Sequence, residues 1–199
     1  LYFERQRILN NAVGKYAELD NIINEEKKLK YCIIYCAEQS IRLQRNVKQI
    51  DLVQDILNKY NIKQHKFTGV EGTTPKPEYG NKSEREHLLN LFANGSYSAL
   101  VAMKCLDEGV DVPPARLAVL MSSTGNPRQF IQRRGRLLRR YPGKKNATIY
   151  DIIVLPEIEK TSQDPDLRKI QKQIITKELV RFKEFAKDSI NYLECLNLI

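Results

Sequence analysis

The chain has 199 residues, 42% of them apolar and 29% charged, with a net charge of +9. That is enough apolar material for one good-sized domain with its own core and helical flanks. No stretch approaches the roughly 20 apolar residues of a membrane span and the first residues carry no secretory pattern, so a cytoplasmic protein with no membrane partner is expected.

In chain order, the region from Arg5 to Lys28 reads as a helix, because Ile8, Leu9, Val13, Tyr16, Leu19, Ile22 and Ile23 recur mostly at three- and four-residue steps. Tyr31–Ala37 is a continuous apolar run suited to a buried strand. Cys32 and Cys36 fall on one side of that strand, and no histidine or second cysteine pair stands nearby. Buried reduced thiols are therefore expected there, and no metal site. Ser40 offers an N-cap for a second amphipathic helix carrying Ile50, Leu52, Val53, Ile56 and Leu57.

A short strand over 63–68 leads into the Gly/Thr/Pro-rich loop 69–80. Ser83 followed by Glu86 is a capping-box signal for a helix that Asn94-Gly95 ends. Strand signals return at Ala99–Met103, Leu117–Met121 and Thr148–Leu155. Strands alternating with helices predict an α/β layer structure with a mostly parallel sheet. Beyond Pro156 come a charged linker and a long helical pattern through Ile170, Ile174, Ile175, Leu179, Val180, Phe182 and Phe185. The expected divisions are a helical flank over 1–28, the α/β domain over 29–155 and a helical tail over 156–199, the tail's apolar stripe being a packing face.

Charge is concentrated in one place. Arg128, Arg133, Arg134, Arg136, Arg139, Arg140, Lys144 and Lys145 occur in a segment without an acidic residue, which is not the pattern of an alternating solvated face. Within it, Gln132, Arg136 and Arg139 are spaced i, i+4 and i+7, so on a helix they project from one side. Two guanidinium forks on one face suit phosphate oxygens. A solvated basic helix would account for the arginines but not for Gln132 or for the helix-weakening Gly135. Upstream, the apolar run Ala99–Met103 delivers the chain to Gly109, Asp111 and Pro113-Pro114. There the glycine permits close backbone approach to a ligand and the carboxylate can accept from a sugar hydroxyl.

EGVDVP followed by STGNPRQFIQRRGRLLR resembles motifs V and VI of superfamily 2 helicases, with Tyr31–Ala37 resembling motif IV. The look is closest to XPB-type DNA translocases and the motor subunits of restriction systems. Gln132 and Leu138 depart from the HRxGRxGR of DEAD-box RNA helicases. The resemblance covers roughly 29–155 and implies a second RecA-like motor lobe, a P-loop NTPase-type parallel sheet flanked by helices. It further implies that Arg136 and Arg139 are arginine fingers for ATP and that Gln132 orders the attacking water. Gly109 and Asp111 would line the nucleotide, and Ala37, Glu38, Thr68, Gly69 and Lys104 would touch nucleic-acid backbone. Met103 stands where many members have a threonine that contacts phosphate.

No GxxxxGK[ST] is present, since Gly14-Lys15 and Gly143-Lys144 lack both the first glycine and the following Ser or Thr. Asp107-Glu108 read as helix-start acids rather than a Walker B pair. The expected nucleotide is therefore ATP shared with an N-terminal RecA-like lobe, which would hold the magnesium. The expected track is nucleic acid, duplex DNA first, with the isolated chain inactive. Two other readings stand beside it: a non-enzymatic nucleic-acid-binding module using the same arginines, and a lobe of an RNA helicase. His65 and His87 are isolated and read as packing or surface residues, and 141–145 as a basic turn.

Overall fold

The computed structural model describes residues 8–37, 40–41, 47–103, 112, 114–122, 135–156 and 165–197, with backbone only at 40 and 41. They belong to two compact units, Leu1–Ile152 and Ile153–Ile199. In the first unit five strands form one parallel sheet: β1 (Cys32–Tyr35), β4 (Gln64–Phe67), β5 (Ala99–Ala102), β6 (Leu117–Leu120) and β7 (Thr148–Asp151). Their order across the sheet is β4-β5-β1-β6-β7. A separate antiparallel ribbon joins β2 (Ser40–Ile41) to β3 (Val47–Lys48).

All four residues of β1, β5 and β6 are buried, as expected of central parallel strands covered on both faces. One face presents Cys32, Ile34, Val101, Val119 and Met121 to α1 (Gly14–Glu26) and α2 (Gln49–Lys59). Leu19, Ile22 and Ile23 of α1 and Ile50, Val53, Ile56 and Leu57 of α2 complete that core. Tyr35, Ala102 and Phe67 share a register level on the opposite face. There Arg85 of α3 (Glu84–Ala93) lies over the Phe67 ring, 6.0 Å from its centroid. Buried aliphatic side chains of this kind contribute about 1.5–3 kcal/mol each.

Two elements differ from the sequence reading. The N-terminal helix is not continuous: residues 8–10 are helical, 11–13 form a turn, and α1 then starts afresh at Gly14. The break falls at Asn10-Asn11, residues that disfavour helix interiors. Ser40 does not cap α2, because it belongs to β2 and pairs with Lys48. Lys48 takes the N-cap position instead, donating its N–H to the Asp51 carboxylate at 3.4 Å. By contrast α3 begins as read. Glu86 N–H donates to Ser83 Oγ at 3.2 Å, and Ser83 N–H donates back to the Glu86 carboxylate at 2.9 Å. Asn94 ends the helix and Gly95 follows at φ 82°, in the left-handed region.

The second unit contains α4 (Pro165–Ala186) and α5 (Tyr192–Leu196). No helix among the described residues is long and apolar enough to cross a membrane.

Candidate functional site

Four hydrogen bonds place the carboxyl ends of all five strands at one level. Cys36 N–H donates to Ala102 O at 2.8 Å, Met103 N–H to Phe67 O at 3.2 Å, Met121 N–H to Tyr35 O at 3.0 Å, and Ile152 N–H to Leu120 O at 3.3 Å. The chain builds β4 and β5 on one side of β1 and then β6 and β7 on the other. β1 is therefore the topological switch point, and ligands of open α/β sheets bind outside the carboxyl ends at such a point. Ala37, Thr68, Met103 and Ser122 all leave the sheet along that edge.

Of the residues singled out by sequence, Ala37, Thr68, Gly69, Met103, Arg136 and Arg139 belong to the described structure, while Glu38, Lys104, Gly109, Asp111 and Gln132 lie outside the described residues. Ala37 is buried, and its N–H donates to Gln49 Oε1 at 2.6 Å. Gln49, fully buried, donates its own amide to Asn10 O at 2.6 Å. Thr68 is engaged by a neighbouring acid: its N–H donates to the Glu71 carboxylate at 2.7 Å and its hydroxyl to the same group at 3.1 Å. Arg85 ties this loop to α3, donating to Glu71 O at 3.1 Å and to Thr68 O at 3.4 Å. Glu84 accepts from Gly72 N–H at 2.9 Å. The loop after β4 is thus held in place at several points. Met103 packs partly buried against the core, so this position offers no hydroxyl.

Around the arginines, residues 135–137 are helical and Leu137 is buried. The helical turn stops there, so Arg139 stands just beyond the helix end rather than on its face, with its N–H 3.4 Å from Arg136 O. Arg136 is half-buried and Arg139 exposed. The stop has a cause. Lys144 Nζ donates to the Leu137 carbonyl and, at 3.1 Å, to Arg139 O, so an ammonium group satisfies carbonyls that a helix end leaves unpaired. The Tyr141–Lys144 turn that returns it closes through Lys144 N–H to Tyr141 O at 3.0 Å, with Gly143 at φ 73°. Burial, and secondarily the Arg116 charge, lower the Lys144 pKa.

Sequence reasoning passed over Lys15 and Gln49. Lys15 is 2% exposed and donates its ammonium to Met121 O at 2.7 Å, where β6 ends. It falls at i, i+4, i+7 and i+8 with Leu19, Ile22 and Ile23. That register marks it as part of the buried stripe although its type suggests solvent. The two histidines pack on tyrosines: His65 lies 5.3 Å from Tyr97 and His87 5.1 Å from Tyr79, ring centre to ring centre.

Comparison with known proteins agrees with this arrangement. The helicase conserved C-terminal domain family matches residues 14–141. The DNA 3'-5' translocase XPB2 of Sulfurisphaera tokodaii is 47% identical over 72 residues, which span 36% of this chain and 16% of that protein. A putative DNA 3'-5' helicase Rad25 of Halobacterium salinarum is 40% identical over 78 residues, 39% of this chain and 12% of the relative. The matched stretches are thus a small part of the relatives' length. Among solved structures, the C-terminal part of the Fun30 ATPase domain superposes with a TM-score of 0.53 at 18% identity, covering 83% of this chain and 45% of that one, a likeness of fold. With the family matched over most of the parallel-sheet unit, the chain belongs to the helicase conserved C-terminal domain family and carries the second RecA-like domain of a superfamily 2 helicase.

Proposed function

We propose that this chain is the second motor lobe of a nucleic-acid-dependent ATPase, with duplex DNA as its first track, and that it is inactive without a lobe carrying Walker A and B. The observation that carries the reading is the level carboxyl edge of the sheet. There the segments bearing motifs IV, V and VI leave the strands around the switch strand β1. Relatives named as DNA translocases and helicases support DNA as the track.

The donor set fits the phosphate end of a shared nucleotide. Arg136 and Arg139 offer two guanidinium groups on a segment whose backbone Lys144 holds. The sequence contains no P-loop to hold the rest. When bound, ATP supplies the phosphoryl transfer to water that drives the machine, with magnesium held by the other lobe. Arg136 and Arg139 stabilise the charge developed at the transferred group, a role worth about 10³–10⁵ in rate. Gln132 orders the attacking water, and Gly109 and Asp111 line the sugar side of the cleft. Ala37, Glu38, Thr68, Gly69 and Lys104 form the track along the carboxyl ends of β1, β4 and β5. Closure of the two lobes completes the site.

The test is ATP hydrolysis by the chain joined to its Walker lobe, with duplex DNA, single-stranded DNA or RNA added. Stimulation by one polymer is expected, lost in Arg136→Ala and Arg139→Ala while nucleic-acid affinity barely changes. Loss of affinity in those variants without any measurable hydrolysis in the parent would instead favour a binding module. Hydrolysis by the isolated chain, abolished by Arg139→Ala, would overturn its predicted inactivity.

A further inference from the structure

Lys15 is a charge in an unfavourable place. It lies in the first turn of α1 and is buried, so its ammonium has left water and stands at the positive end of the helix dipole. Its register with Leu19, Ile22 and Ile23 accounts for the burial but not for the residue type. A leucine or methionine would fill that stripe with neither opposition. The carbonyl at a strand end does not call for an ammonium either, because water or a neutral donor satisfies it.

The ammonium fixes one point of the main chain. Met121 directly follows β6; its N–H donates to Tyr35 O at 3.0 Å, and its carbonyl accepts from Lys15 Nζ at 2.7 Å. With both backbone groups held, the peptide planes on either side of Met121 are set, and with them the direction in which the chain leaves the sheet. Ser122, the next residue, is buried as well. Met121 precedes Arg136 by 15 residues, and beyond that arginine Lys144 Nζ donates to the Leu137 and Arg139 carbonyls. Two lysines thus hold the main chain on the two sides of motif VI, one from α1 and one from the turn before β7. Hydrogen bonds from a charged donor are about twice as strong as neutral ones. Lys15 is also carried by a firmly seated element: its N–H donates to Ala12 O at 3.1 Å, and its helix packs on the sheet.

We infer that Lys15 is a positioning residue for the motor reaction. Through the Met121 carbonyl it fixes where the arginine-bearing segment leaves the sheet, and so how Arg136 and Arg139 meet the phosphate. The inference rests on the motor reading above and assigns Lys15 no contact with nucleotide or nucleic acid. Because the arginines act on charge that develops during transfer, a shifted segment lowers kcat. The KM for ATP, which the other lobe mainly holds, stays where it was.

The experiment measures polymer-stimulated ATP turnover by the chain joined to its Walker lobe, in the parent, Lys15→Met and Lys15→Arg. The Met variant keeps the stem and loses the ammonium. Its kcat is expected to fall about tenfold or more, with KM for ATP and DNA affinity within about twofold of the parent's. Lys15→Arg restores a charged donor and should recover a measurable part of the lost turnover. Parental kcat in a Met variant that is folded by circular dichroism would overturn the inference and leave the motor reading standing. So would a loss of turnover, DNA affinity and urea midpoint together in both variants, which is the mark of a purely structural lysine. A parent that hydrolyses no ATP with any polymer would overturn the motor reading, and the inference with it.

Discussion

Gln49 accepts the Ala37 N–H at 2.6 Å from a position with no exposure to solvent. The same side chain donates to Asn10 O, so one amide fixes the chain leaving β1 against the segment that precedes α1. Both partners are buried backbone groups whose alternative is to go unpaired. Gln49→Leu is expected to destabilise the protein by about 2–4 kcal/mol, the cost of orphaning two such groups. Urea unfolding would read it. A loss below about 1 kcal/mol would mean that water or another side chain replaces the bridge.

Glu71 occupies both hydrogen-bonding groups of Thr68, the ones a nucleic-acid phosphate would use. A phosphate must therefore displace the carboxylate against its charge. Glu71→Gln keeps an acceptor for the loop but removes that charge, and nucleic-acid affinity is expected to rise severalfold at low salt, measured by titration of labelled DNA. Unaltered or weaker binding would remove Thr68 from the track.

Lys144 holds the end of the arginine-bearing helix through the Leu137 and Arg139 carbonyls. Lys144→Met keeps the length and apolar stem but leaves those carbonyls without their donor. In the two-lobe protein we expect at least a tenfold fall in ATP turnover, with nucleic-acid affinity close to the parent's. Such a split separates positioning of the arginines from loss of a phosphate contact. Equal loss of both properties would refute it.

Three weak acids, the buried Cys32 thiol and the partly buried Tyr16 and Tyr150 phenols, make the fold sensitive to alkali. Burial raises the Cys32 thiol, with the Glu26 charge adding to it. Burial is likewise the main cause that pushes Tyr16 and Tyr150 up to about 12, Tyr150 also donating to Glu26 at 2.8 Å. Each folded-state value lies above its unfolded one, so the stabilisation is whole below the unfolded pKa and is lost as pH rises towards the folded value. With unfolded values of about 8.5 for cysteine and about 10 for tyrosine, the urea midpoint should fall from about pH 8.5 and more steeply above about pH 10. Cys32→Ala should delay the onset by about one pH unit. A midpoint flat to pH 10.5 in the parent would contradict this.

Much of the fold was legible because its signals are local. The run Tyr31–Ala37, the Ser83–Glu86 box and the Asn94-Gly95 stop each carry their own cause within a few residues. The parallel sheet itself followed from strand–helix alternation. What escaped depends on distance in sequence. Lys15 and Met121 are brought together only by packing of α1 on the sheet, and Gln49 is buried because β1 ends beside it. Ser40 misled because a cap and a ribbon residue look alike until their partner is known. Likewise nothing near Arg139 announces that Lys144 will end the helix before it.

The place of β1 in the sheet also governs how the chain can be made. Its two neighbours, β5 and β6, begin at Ala99 and Leu117, so during synthesis the strand Cys32–Tyr35 waits unpaired while most of the first unit is still to come. Pairings this remote make folding slow, and an apolar strand with both edges open is a template for association with other chains. Fragments ending before Leu117 should therefore aggregate, and boundaries for expressing the lobe belong after β7, where the last strand has closed against β6.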